Sequence, residues 1–126
     1  RARLALARAD HTAALAVARA ALAANRRHGD RTEEANSLRL IGDAALRRHE
    51  LDSAYAAYAE ALEIDKALGL PSKIARDLIG IGESRRAQGH AHDAVGYFRR
   101  AQSVALAAGD TALARLAVEL AGQTGP

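Results

Sequence analysis

A repeat with a period of forty residues limits the possible folds of this chain more than any other feature. Each copy contains two motifs. In the first copy they are Leu38-x2-Ile41-Gly42-x2-Ala45 and Ala54-x3-Tyr58-x2-Ala61. In the second copy, forty residues later, they are Leu78-x2-Ile81-Gly82-x2-Arg85 and Ala94-x3-Phe98-x2-Ala101. The same spacing separates Gly29, Gly69 and Gly109. A fixed period of this size predicts stacked supersecondary units that share one continuous core.

The repeat extends toward both ends of the chain. Gly122 lies forty residues after Gly82, and the run Ala14-x3-Ala18-x2-Ala21 is in phase with the second half of the first copy. We therefore divide a single domain into a partial repeat (1–29), two complete repeats (30–69 and 70–109) and a terminal or capping helix (110–126). The chain has no methionine and begins in the middle of the pattern, so we expect it to be part of a longer protein.

Local signals predict helices along the whole chain. The expected helices are a stub at 1–9 and then about 11–27, 30–48, 52–68, 71–88, 91–108 and 111–121. Asp10 and Asp30 are good N-caps, and Glu33 completes a capping box with Asp30. Gly69 and Gly109 are suited to ending helices. No segment alternates between apolar and polar residues over a useful length, so we predict an all-α fold.

These motifs resemble the tetratricopeptide repeat, in which Leu-Gly marks the first helix and an Ala-aromatic-Ala pattern marks the second. The longer period is similar to the long-helix variety in bacterial regulators and scaffolds. The sequence departs from the tetratricopeptide pattern at three positions of each repeat. The opening tryptophan is replaced by Leu38 and Leu78, a later aromatic residue by Ala45 and Arg85, and the closing proline by Lys66 and Leu106. The resemblance implies an all-α, right-handed α-solenoid of antiparallel helix pairs, with about six helices and an N-terminal helical stub.

Two glycines fall inside predicted helices, where each costs about 1 kcal/mol relative to alanine. In the repeat geometry the second helix of the pair crosses at this point, so we expect Ala54 to face Gly42 and Ala94 to face Gly82. Two small residues would let the helices approach closely.

The composition excludes several classes of protein. At 126 residues the chain is one domain in size, and it has no cysteine for disulfides, thiolate metal sites or a cysteine nucleophile. The longest apolar stretch, 13–24, is interrupted by Arg19 and is too short to cross a bilayer. No apolar run follows a basic start, so no signal peptide is recognised, and the chain is expected to be cytoplasmic, without a membrane partner. The net charge is +3, with both signs well mixed.

No arrangement of residues predicts chemistry. The segment Gly80-x-Gly82 lies inside a predicted helix, so its amides are not free to cradle a phosphate. The cluster His90-x-His92-Asp93 has metal-ligand residue types, but it occupies a turn and would need further ligands. We therefore predict a protein that is not an enzyme and uses no cofactor or metal.

The resemblance implies a partner-binding groove on the first helix of each pair, on the face turned away from the core. Helical geometry assigns to it Asn36, Arg39, Leu40, Asp43, Arg47, Arg76, Ile79, Glu83 and Arg86. We expect the acidic groups of a bound segment to be held by Arg39, Arg76 and Arg86. Its basic groups would be held by Asp43 and Glu83, and an apolar side chain would pack on Leu40 and Ile79. Instead of binding a ligand, Arg39 and Asp43 could form an i,i+4 ion pair with each other.

The predicted function is protein or peptide binding, in the regulatory domain of a larger bacterial signalling or transcription protein. Two alternatives stay open. The terminal helices lack partners and could mediate self-association into a homo-oligomer. Arginine pairs such as Arg26-Arg27 and Arg99-Arg100 could bind nucleic acid, although the acidic residues between them do not favour this.

Overall fold

The chain folds into consecutive α-helices. The structure, a computed structural model, describes the backbone of residues 2–124 and the side chains of residues 10–124. The helices are α1 (Ala2–His28), α2 (Arg31–Arg47), α3 (Leu51–Leu68), α4 (Pro71–Ala87), α5 (Ala91–Ala107) and α6 (Thr111–Thr124). No strand occurs within residues 2–124, which confirms the all-α prediction. None of the described helices combines the length and apolar character needed to cross a membrane.

The first helix differs from the prediction. We expected a stub at 1–9 and a new helix capped by Asp10, but α1 runs through this position without a break. Residues 2–28 include neither glycine nor proline and are rich in alanine, so one interior aspartate does not end the helix. The prediction of a separate stub was wrong, because residues 2–9 belong to α1, and Arg1 lies outside the described residues.

The remaining helix ends follow local chemistry. Asp30 Oδ1 accepts a hydrogen bond from the Glu33 backbone N–H at 3.1 Å and so caps α2. The other half of the predicted capping box does not form, because the Asp30 N–H donates to the Asn25 carbonyl. Gly69 ends α3 with a φ of 66°, in the left-handed region that favours glycine.

Each helix packs on the next one along the chain, and the short turns make neighbours antiparallel. In addition, α2 contacts α4, and α4 contacts α6. In the described part of the chain no pair of Cα atoms within 8 Å joins α1 to α3 or α3 to α5, although the side chains of Arg26 and Glu60 form an ion pair of 2.6 Å between α1 and α3. The backbones of the even-numbered helices, which form one layer, therefore lie closer together than those of the odd-numbered helices, which form the other.

Two aromatic rings fill the space between these layers. Tyr58 of α3 and Phe98 of α5 are both buried. A Cβ atom added at Gly42 would lie 2.8 Å from the Tyr58 ring, one at Gly80 would lie 2.5 Å from the same ring, and one at Gly82 would lie 2.6 Å from the Phe98 ring. The interior glycines thus make room for aromatic rings. Ala54 and Ala94, which were expected to face Gly42 and Gly82, are not among the atoms nearest to these positions.

Candidate partner-binding site

The layer of even-numbered helices carries a cavity of about 300 Å³, which we call the groove cavity. Its lining consists of Arg39, Asp43, Tyr58, Arg76, Ile79, Gly80, Glu83, Leu113 and Leu116. These residues come from α2, α3, α4 and α6. The cavity therefore combines an apolar part with groups of both charge signs.

Asp43 and Glu83 form the acidic part of the groove cavity. Asp43 accepts a hydrogen bond of 2.5 Å from the Tyr58 hydroxyl. Burial, and then the contact with Asp43, raise the pKa of Tyr58 well above its usual range, so the phenol remains a donor at physiological pH. Glu83 is partly buried and makes no ion pair within 4 Å among the described side chains.

Glu83 is a carboxylate that lacks a direct cationic partner. Burial is the main cause that raises the pKa of Glu83. The positive charge of Arg86 lowers this pKa, the negative charge of Asp43 raises it further, and the positive charge of Arg47 lowers it. A carboxylate partly removed from water gains strongly from a charge-assisted hydrogen bond. The groove cavity can therefore receive an ammonium or guanidinium group of a ligand, with apolar contacts beside it.

Arg39 belongs to a buried ion cluster. Its Nε donates to Asp77 Oδ1 at 2.8 Å, and its Nη2 donates to Asp65 Oδ2 at 2.5 Å. The arginine side chain is 13% exposed and both aspartates are 0% exposed. The expected ion pair between Arg39 and Asp43 was wrong, because the guanidinium is held by acids of α3 and α4. Arg39 thus ties three helices together, and these donors are engaged inside the protein.

In this cluster one guanidinium faces two carboxylates. Asp65 Oδ1 and Asp77 Oδ2 are buried and have no hydrogen-bond partner among the described groups. Burial, and then the neighbouring Asp65 carboxyl, raise the pKa of Asp77 to about 8, while Arg39 acts in the opposite direction. We infer that Asp77 holds a proton at neutral pH and donates it to Asp65, which gives both oxygens a partner.

Replacing Asp77 by asparagine should stabilise the protein, relative to wild type, as the pH rises. Because the folded-state pKa lies above the ordinary value of 3.8, the wild-type free energy of unfolding falls between about pH 4 and pH 8. An asparagine amide reproduces the protonated carboxyl at every pH and lacks this fall. Urea denaturation at pH 5 and pH 8 is expected to show a relative gain of about 1 kcal/mol or more at the higher pH. Equal pH dependence in both proteins would contradict the shared proton.

The location of this cluster is occupied differently in each repeat. Forty residues before the two aspartates stand Asn25 and Ser37, which form a neutral hydrogen bond of 3.0 Å. Forty residues after them stand Ala105 and Ala117, both fully buried. The counterpart of the arginine is Ile79. The same position in the fold is therefore filled by neutral polar, by charged or by apolar side chains in different repeats.

A second cavity, of about 450 Å³, lies between α1 and α2. The residues that line this α1–α2 cavity are His11, Ala13, Ala14, Val17, Ala18, Ala21, Leu40, Asp43, Ala44 and Arg47. Val17 is 70% exposed and Leu40 is 58% exposed, so the cavity is an open, mainly apolar surface. Asp43 lines both cavities, which therefore adjoin each other.

The structure brings together only part of the predicted groove. Arg39, Asp43, Arg76, Ile79 and Glu83 line the groove cavity, Leu40 and Arg47 line the α1–α2 cavity, and Asn36 and Arg86 line neither. Arg86 instead donates to Thr124 and lies over the Phe98 ring. Sequence reasoning missed the Tyr58 hydroxyl, because an aromatic residue at this repeat position indicates a core role. The available signal was that Tyr58 has a hydroxyl where Phe98 has none.

Only His90 of the histidine cluster lies in the turn, where it is the N-cap residue of α5. His92 and Asp93 lie in the first turn of α5 itself, and Asp93 accepts a hydrogen bond from Arg85 at 3.2 Å. In the part of the chain whose side chains are described, no group of three or more histidine, cysteine, aspartate and glutamate residues is placed to hold a metal ion. Asp93 therefore has a structural partner.

No family model matches this chain, and no curated protein shows a significant match to it. The function proposed below therefore rests on the residues and on their geometry.

Proposed function

We propose that the chain is a tetratricopeptide-like solenoid whose even-numbered helices line the concave side. The forty-residue repeat coincides with the helix pairs α2–α3 and α4–α5, which supports this view. The close backbone approach of α2 to α4 and of α4 to α6 has no counterpart among the described odd-numbered helices, where α1 and α3 are joined by the long side chains of Arg26 and Glu60. Helices on the inside of a curved stack approach one another more closely, so this asymmetry favours curvature toward the groove cavity.

The proposed function is the binding of a segment of a partner protein in the groove cavity, with no chemistry of its own. The observation that carries it is the partly buried Glu83 carboxylate, which has no ion-pair partner within the described structure and opens into a preformed cavity. The bound segment would place a lysine or arginine between Asp43 and Glu83. Its apolar side chains would pack against Ile79, Leu113 and Leu116.

Selection from a phage library of random peptides of about twelve residues tests this function. The wild type is expected to enrich peptides in which lysine or arginine adjoins apolar residues. Leu116→Arg places a competing cation at the cavity and should abolish the enrichment. Leu106→Arg is the matched control, because Leu106 is also exposed but lines neither cavity. A wild type that enriches nothing, or a Leu116→Arg variant that selects the same peptides, would overturn the proposal.

A charge reversal at Glu83 tests the electrostatic part of the same proposal. Glu83→Lys is expected to weaken the binding of a selected basic peptide about tenfold or more, and to enrich acidic peptides in a new selection. Fluorescence anisotropy measures the affinities, and thermal melts establish that the variant is folded. Unchanged affinity would mean that the basic residue binds elsewhere.

Such a module suits the regulatory domain of a larger bacterial signalling or transcription protein, as the repeat variety suggests. The alternative of nucleic-acid binding has no specific support. Arg26 pairs with Glu34 and Glu60, and Arg85 pairs with Asp93, so members of two arginine pairs already have acidic partners.

A further inference from the structure

The groove cavity is centred on α4, which has a neighbour of the same layer on each side. It packs on α3 and α5, and it also touches α2 and α6. The residues that α4 contributes to the cavity are Arg76, Ile79, Gly80 and Glu83. These side chains therefore have their surroundings formed by described helices on both sides.

Arg76 supplies the positive charge of the groove cavity that is free to meet a ligand. Of the two arginines that line the cavity, Arg39 is held by two buried aspartates. Arg76 is exposed and makes no ion pair within 4 Å among the described side chains. Its counterparts forty residues away, Asn36 and Leu116, carry no charge. This free charge is therefore specific to α4.

The charges of the groove cavity are separated along α4. Arg76 and Glu83 are seven residues apart, which places them on one face of the helix and about 10.5 Å apart along its axis. Ile79 lies between them, about one turn from each, and lines the cavity. Asp43 lines the cavity together with Glu83, so two carboxylates face the single free arginine. The cavity thus has a positive end, an apolar middle and a negative end.

We propose that the groove cavity selects segments that carry an acidic and a basic residue three positions apart. This inference rests on the proposed function and adds the spacing of the ligand's charges. In a polyproline II segment, with about three residues per turn and a rise of about 3.1 Å per residue, side chains i and i+3 point the same way about 9.3 Å apart. The base would then meet Asp43 and Glu83 while the acid meets Arg76. The residues between them turn toward the apolar wall of Leu113 and Leu116.

Arg76 also determines which segments are rejected. A run of lysines or arginines would satisfy the negative end, but its further positive charges would lie beside Arg76. Like charges that face each other discriminate against a partner without weakening the correct one. The expected partner is therefore a segment whose opposite charges nearly cancel, and not a basic tail.

The peptides selected by the wild type test the spacing. When they are aligned on their basic residue, aspartate or glutamate should be enriched three positions away, relative to the unselected library. A synthetic peptide of the same composition, with the acid moved next to the base, keeps the net charge. It should bind about threefold to fivefold more weakly, which is the range of an exposed ion pair. Fluorescence anisotropy measures both affinities.

Substitution of Arg76 identifies the residue that meets the acid. The wild type should bind the selected peptide about fivefold to tenfold more tightly than a version with the acid replaced by lysine. Arg76→Gln should lose this preference, and Arg76→Glu should bind the lysine version more tightly. Arg99→Glu is the matched control and should keep the wild-type preference, because Arg99 is exposed on α5 and lines neither the groove cavity nor the α1–α2 cavity. Thermal melts establish that each variant is folded.

The outcomes separate this inference from the function on which it rests. Selected peptides that are basic and apolar, but lack an acid at this spacing, overturn the inference and leave the proposed function intact. An Arg76→Glu variant with the wild-type preference assigns the acid to another residue and also overturns it. A wild type that enriches no peptide overturns both.

Discussion

Replacing Arg39 by isoleucine is expected to lower the free energy of unfolding by about 3–5 kcal/mol. The change leaves the carboxyl groups of Asp65 and Asp77, both fully buried, without their cation. A domain of this size has a total stability of only about 5–15 kcal/mol, so the loss would be a large part of it. Urea denaturation at pH 7 measures the effect. A loss below about 1 kcal/mol would contradict a buried, coupled cluster.

The chain itself supplies the control for this experiment. In the following repeat the same three positions hold Ile79, Ala105 and Ala117, all buried. The triple variant Arg39→Ile/Asp65→Ala/Asp77→Ala places the same three apolar side chains at the position of the ion cluster. It should recover to near the wild-type stability or exceed it, because an apolar replacement of a buried ion cluster removes its desolvation cost. A triple variant as unstable as Arg39→Ile would assign the loss to the packing of the arginine.

Gly42→Leu is expected to cost about 3 kcal/mol or more, or to prevent folding. Even its Cβ atom would lie 2.8 Å from the Tyr58 ring, well inside contact distance. The ring has little freedom to move, because it is 2% exposed and its hydroxyl is bonded to Asp43. Gly80 approaches the same ring from α4, which further restricts the space. Thermal and urea denaturation measure the loss.

Gly96→Leu is the matched control for this substitution. Gly96 also lies inside a helix, but it is exposed and nothing lies within 4 Å of an added Cβ. Leucine there should raise stability by about 0.5–1 kcal/mol, because it is a better helix former than glycine. Equal effects at positions 42 and 96 would show that helix propensity, and not contact with Tyr58, decides the outcome.

The helices could be predicted from the sequence because their signals are local. Asp30 and Gly69 mark ends that the structure reproduces, and the forty-residue period places the helices between them. The prediction failed at Asp10, where a good capping residue lies within an alanine-rich stretch. A cap fixes an end only where the flanking residues also disfavour helix, as glycine does after residue 68.

The site was harder to predict because its contacts join distant parts of the chain. The pairing of Arg39 with Asp43 considered only one helix, whereas its actual partners lie 26 and 38 residues away. A usable signal was present in the repeat. Asp65 and Asp77 stand where the neighbouring repeats have neutral residues, and Arg39 stands where the next repeat has isoleucine. The ion cluster of Arg39, Asp65 and Asp77 is therefore indicated by positions at which the repeats differ, and not by the motif that they share.

The most direct test of the proposed binding surface is an NMR titration of the ¹⁵N-labelled chain with a peptide selected by the wild type. Binding in the groove cavity should shift the backbone amides of α4 and α6 most strongly, around Glu83 and Leu116, and Leu116→Arg should remove these shifts. Shifts concentrated on the exposed face of α5, around Arg99 and Leu106, would place the binding surface on the opposite layer and contradict the proposal.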